Sequence, residues 1–219
     1  MTRIAFLHTG AVVIPAFAEL AATHLPGVDV QHLLDDKIVA DLGADPGGRD
    51  VAGRLDALGR AAVAAGAEAL VFSCSSISGY ARPLQEELGI PVLRIDEAMA
   101  DHAVETGRSI AVIATLPTTL APTAALLRER AALRSADVVL DEVLVEGAFA
   151  AVAAGDRTTH DALVAAAIRE QSARHDVVVL AQASMAGAAA GLDTGVPVLT
   201  SPELGVRRVA ETLRHPGPA

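Results

Sequence analysis

Tryptophan is absent from this chain, and the whole aromatic complement is one tyrosine and four phenylalanines. Aromatic residues make up 2% of the sequence, so a platform for stacking nucleobases has almost nothing to be built from. Basic runs are missing too: 17 Lys and Arg face 27 Asp and Glu, for a net charge of -10. That balance excludes nucleic acid and an anionic membrane surface as partners. A single cysteine excludes an internal disulfide, and no Cys-plus-His spacing suits a metal. No apolar run reaches the roughly 18 residues needed to span a bilayer. The amino-terminal run Met1–Leu7 is interrupted by His8 and Thr9 and is too short for a signal-peptide core. These absences predict a soluble, cytoplasmic protein. What is present is a 52% hydrophobic and 20% charged composition, enough for a packed core of Ala, Val, Leu and Ile.

The single cysteine stands at an informative place. Ala69-Leu70-Val71-Phe72 reads as a buried strand, and Ser73-Cys74-Ser75-Ser76 reads as a small polar turn entering a helix. In an open parallel sheet, ligands bind at the carboxyl ends of strands. A thiol there has the amide N–H groups of the next helix start beside it, which favour the thiolate and an anionic substrate. A lone cysteine is more often a small buried hydrophobe. The three flanking serines argue the other way, because hydroxyls fill an apolar core poorly.

Strands and helices alternate along the chain. Strands are expected at 4–8, 28–34, 70–73, 89–95, 109–114, 137–144, 176–180 and 196–200. Helices are expected at 12–24, 51–65, 76–88, 97–106, from after Thr119 to about Leu133, 147–154, 158–174, 183–190 and 202–213. The acidic, glycine-rich stretch 35–49 reads as a loop, or a short helix and a loop, able to cover a crevice. Residues 215–219 read as a frayed tail. Thr158 or Thr159 is the expected cap of its helix, and Asp96 with Glu97 the expected cap of theirs. This alternation implies an α/β fold with parallel sheets and helices on both faces.

The two halves repeat each other. Glu68–Gly79 aligns with Asp176–Gly187, pairing Cys74 with Gln182 at an offset of 108. Gly89-Ile90-Pro91-Val92-Leu93 aligns with Gly195-Val196-Pro197-Val198-Leu199, and Ile4–Thr9 with Ile110–Thr115, both at an offset of 106. The expected architecture is two pseudo-symmetric, flavodoxin-like lobes with an active-site cleft between them. Lobe 1 is 1–96 plus 201–219 and carries Cys74; lobe 2 is 97–200 and carries Gln182.

Five segments together resemble the aspartate/glutamate/hydantoin racemase superfamily over essentially the whole chain. They are Ser73–Ser76, Arg94–Ala100, Ala114–Thr119, His160-Asp161 and Leu180–Met185. The resemblance implies a cofactor-independent enzyme whose cysteines move a proton at the carbon next to a carboxylate or similar acyl group. Cys74 matches the first family cysteine. Gln182 stands where the second usually lies, and an amide cannot exchange protons at neutral pH.

The candidate catalytic residues are therefore Cys74 and, at the end of the first strand, His8. His8 reads either as a crevice base or as a hydrogen-bonded histidine at the rim. Thr9, Ser75, Ser76, Thr115, Thr118, Thr119, Gln182 and Ser184 are candidate substrate contacts, since hydroxyls and adjacent N–H groups suit a carboxylate or a developing enolate. Each hydroxyl also reads as an ordinary helix cap. His160, with Asp161, opens a helix and reads as a cap or an inter-lobe packing residue. Four functions stay open: a racemase or isomerase; a one-thiol decarboxylase or lyase; a small-carboxylate binder without turnover; and a nucleotide-binding domain. The last lacks both G-x-G-x-x-G and a P-loop. A small anionic carboxylate is the expected ligand, no cofactor or metal is called for, and a homo-oligomer is compatible with the apolar composition.

Overall fold

The computed structural model describes residues 1–44 and 50–214. The end of the expected covering loop and the expected frayed tail lie outside the described residues. The chain divides into two compact units, Met1–Ile95 with Pro202–Ala219, and Asp96–Ser201.

In the first unit β1 (Arg3–His8), β2 (Asp29–Leu34), β3 (Ala69–Phe72) and β4 (Val92–Arg94) form one parallel sheet in the order β2-β1-β3-β4. Ile4 to Leu7 and Leu70 to Phe72 have no exposed surface, as strands covered on both faces require. Side chains alternate between the two faces. Ala5, Leu7, Leu70 and Phe72 join a core with Ile38 of α2 (Ile38–Ala44), Leu55 of α3 (Val51–Ala64) and Leu84 of α4 (Ala81–Leu88). Phe6 turns the other way, its ring 5.5 Å from that of Phe17 in α1 (Ile14–His24).

The second unit repeats the plan. Its sheet runs β6-β5-β7-β8, from β5 (Ser109–Ala114), β6 (Val139–Leu144), β7 (Val177–Leu180) and β8 (Val198–Thr200). Ala111, Ile113, Val178 and Leu180 pack with Ala148 of α7 (Ala148–Ala153) and with Val164 and Ile168 of α8 (Arg157–Ser172). On α5 (Glu97–Thr106) and α6 (Pro117–Leu133), Arg130 binds both Glu97 and Asp101, and Arg134 adds a 2.8 Å contact to Asp101.

The repeat in the sequence is a repeat in the backbone. Leu7 pairs with Phe72, and Ile113 with Leu180. One residue on, Ser73 N–H donates to Leu7 O at 3.1 Å and Ala181 N–H to Ile113 O at 2.9 Å. Gly89 and Gly195 share a φ of +67°, the left-handed conformation that a side chain would strain, just before their Pro-Val-Leu strands.

Four expectations are corrected. The helix expected from Ser76 starts as a 3-10 turn, Ser75–Tyr80, and becomes α-helical at Ala81. Serine and glycine in that stretch are poor α-formers. The strand expected from Gly89 begins at Val92, because Gly89 caps α4 and Pro91 has no N–H to pair. The cap of α8 is Asp156, which accepts from Thr159 N–H at 3.0 Å and Thr159 Oγ1–H at 2.6 Å, so Thr159 is a donor rather than the cap. Asp96 makes no side-chain cap bond on α5, and Glu97 is drawn to Arg130.

Candidate functional site

Cys74 lies just past β3 in extended conformation, φ -127° and ψ 124°, and is partly exposed. Strand alternation sends Ser73 to the face that carries Phe6 and Cys74 to the face that carries Phe72, where it packs beside the core of α3 and α4. The Cys74 carbonyl accepts from Ile77 N–H at 3.2 Å and so closes the 3-10 turn. Ser75 and Ser76 are buried, and Thr9 is half-buried just beyond β1, the strand next to β3. Cys74, Ser75, Ser76 and Thr9 are thus all at the carboxyl edge of the sheet.

His8 is not at the rim. It is fully buried, and its Nδ1 lies 2.8 Å from Ser73 Oγ and its Nε2 2.9 Å from His32 Nδ1. Its ring lies 5.1 Å from that of His32 and 5.6 Å from that of Phe17. Burial, reinforced by the neighbouring His32, lowers its pKa from 6.5 to about 4, and burial lowers that of His32 too. His8 and Ser73 share one face of the sheet and Cys74 uses the other, and both ring nitrogens of His8 are engaged, by Ser73 and by His32. Sequence reasoning missed Ser73 and His32 as its partners. His32 gives no signal on its own, because only the β1–β2 pairing shows that it meets His8.

In the second unit the strand end carries Gln182 and Thr115. Gln182 Oε1 accepts from Thr115 N–H at 2.6 Å and from Thr115 Oγ1–H at 2.9 Å. Two donors on one atom fix which end of the amide is oxygen, so the Nε2 hydrogens are the pair that point elsewhere. Thr119 is buried in the first turn of α6, and Thr118 beside it has a buried Oγ1 with no hydrogen-bond partner among the described residues. Ser184 is half-buried in a 3-10 turn, Ala183–Met185, the counterpart of the turn after Cys74. His160 is fully buried, with Nδ1 2.7 Å from Asp161 Oδ1, and Asp156 rather than His160 caps α8. No group of three or more His, Cys, Asp or Glu able to hold a metal occurs among the described residues. Among the same residues no helix is long and apolar enough to cross a membrane.

A family model described as Asp/Glu/Hydantoin racemase matches residues 7–209. No curated protein matches the chain. Among solved structures, allantoin racemase from Klebsiella pneumoniae superposes with a TM-score of 0.69 at 21% identity, covering 98% of this chain and 88% of that one. Glutamate racemase from Francisella tularensis gives 0.73 at 14%, covering 98% and 82%. Aspartate racemase from Picrophilus torridus gives 0.71 at 15%, covering 96% and 95%. At these identities the likeness is one of fold.

Proposed function

Since the chain belongs to the Asp/Glu/hydantoin racemase family, we propose that it is a racemase-type enzyme in which Cys74 moves a proton at the carbon next to a carboxylate of a small acid. The observation that carries this reading is the position of the only thiol, partly exposed at the carboxyl end of a parallel strand. The thiolate of Cys74 takes the α-proton, and the C–H electron pair passes into the adjoining carboxyl as an enolate. Hydroxyl and amide donors at the strand ends meet the growing charge. We assign that task to Ser75, Ser76 and Thr9 in the first unit, and to Gln182, Thr115, Thr118, Thr119 and Ser184 in the second.

Gln182 sets the limit of the chemistry. Its amide donates hydrogen bonds but carries no proton that it can lose near neutral pH. The proton therefore returns from the thiol that removed it. The reading predicts exchange of the α-proton with solvent, with inversion slow beside exchange. The same lack of a second thiol favours a one-thiol decarboxylase as the second reading.

Incubation of amino acids, hydantoins and dicarboxylates in deuterated water separates the possibilities. Deuterium uptake at the α-carbon supports the reading, and released CO2 supports the decarboxylase. Saturable binding with neither outcome contradicts both and leaves a carboxylate binder.

A further inference from the structure

We propose that His8, braced by His32, is a positioning residue for Cys74 that acts through the Ser73 hydroxyl. The proposal rests on Cys74 being the reacting group. Ser73 Oγ–H donates to Leu7 O at 3.1 Å. With its one proton committed there, the chain closes when His8 Nδ1–H donates to Ser73 Oγ and His32 Nδ1–H donates to His8 Nε2. The last residue before the thiol is thereby held to β1 by its backbone N–H and by its side chain, both on Leu7 O. His8 ties that side chain in turn to β2.

The second unit is the internal control. Ala181 occupies the place of Ser73, Ala114 that of His8, and β6 sets Glu142 opposite Val112 where β2 sets His32 opposite Phe6. The backbone bond is kept there, Ala181 N–H to Ile113 O, and the side-chain chain is gone. The scaffold therefore forms without the histidines. The His8–His32 pair lies in the unit that presents the thiol.

The pair is suited to a neutral, fixed role. His32 on β2 and Ser73 just past β3 bond His8, the Phe6 ring stacks on it, and the Phe17 ring of α1 packs against it at a tilt of 53°. Burial lowers the His8 pKa, and the neighbouring His32 lowers it further. With the pKa of His8 down at about 4 and that of His32 also lowered, the hydrogen-bond pattern stays the same around neutral pH.

Cys74 is the only cysteine, so iodoacetamide alkylation reports on it alone. The variants are Ser73→Ala, which introduces the side chain the second unit already tolerates, His8→Phe, which keeps the ring stack, and His8→Asn, whose amide can still meet Ser73. Far-ultraviolet circular dichroism checks folding. Expected results are a changed rate or midpoint in the alkylation pH profile for Ser73→Ala and His8→Phe, with His8→Asn returning most of it. Where α-proton exchange is measurable, kcat falls about 10- to 100-fold with KM held nearly constant, as for a displaced reacting group. A wild-type alkylation profile in folded Ser73→Ala overturns the proposal, whether or not His8→Phe folds. If the wild-type protein exchanges no acid at all, the functional reading fails, and the alkylation profile still decides the role of His8.

Discussion

Thr115 gives both its backbone N–H and its hydroxyl to one atom, Gln182 Oε1, at 2.6 and 2.9 Å. Gln182 occupies the second unit's counterpart of the Cys74 position, and this pair of bonds makes it a donor of fixed orientation. Gln182→Glu keeps the acceptor for Thr115 and replaces the two outward N–H donors with negative charge. For a carboxylate substrate the loss of a charge-assisted hydrogen bond is worth about 1.5–3 kcal/mol. KM should therefore rise on the order of 10- to 100-fold, measured by initial rates of α-proton exchange. An unchanged KM would remove Gln182 from the substrate contacts.

The buried His8 makes stability depend on pH. In the unfolded chain it titrates near 6.5, and in the fold at about 4. Above 6.5 it is neutral in both states and adds no pH dependence. As pH falls from 6.5 towards about 4, the unfolded chain binds a proton that the folded chain refuses, so the fold loses ground. Below about 4 both states are protonated and this slope ends. The whole interval is worth about 3 kcal/mol. Urea titrations across that range should show the decline in the wild type and a shallower one in His8→Phe; parallel slopes would contradict the burial argument.

Alternation of apolar strands with helices, and the Gly-x-Pro-Val-Leu repeat, made the two parallel sheets readable from sequence. The edges of α5 and β5 fell where expected, at Glu97–Thr106 and Ser109–Ala114, because Gly107 breaks the pattern between them. His8 was legible as a strand end but not as a buried residue. Its surroundings come from β2, β3 and α1, up to 65 residues away. The face that each side chain takes past β3 also depends on register, so the opposite faces taken by His8 and Cys74 could not be read from their closeness to a common turn. Asp156 was hidden because two adjacent threonines offered equally good caps. The grip of Arg130 on Glu97 and Asp101 joins helices 29 and 33 residues apart and leaves no local signature.

That grip holds a buried carboxylate. Burial pushes the Asp101 pKa up, but the hydrogen bonds and charges of Arg130 and Arg134 outweigh it and leave it below the usual carboxylate range. Arg130→Met strands part of that charge, and loss of one partner of a buried pair costs about 3–5 kcal/mol. Arg134 still contacts Asp101, so the lower end is expected. The deficit should be present at neutral pH and shrink as acid protonates Asp101. Urea denaturation of Arg130→Met alone and combined with Asp101→Leu checks it. If the second change restores none of the loss, the pair does not account for it.

The central claim is that one sulfur carries the proton. The most direct measurement is proton NMR of the α-hydrogen of an accepted acid in deuterated water, with wild-type protein and with Cys74→Ala at matched folded concentration. The wild type should erase the α-proton signal by turnover, and Cys74→Ala should leave it at the rate of the enzyme-free solution. Loss of that signal at the wild-type rate with Cys74→Ala would contradict the account.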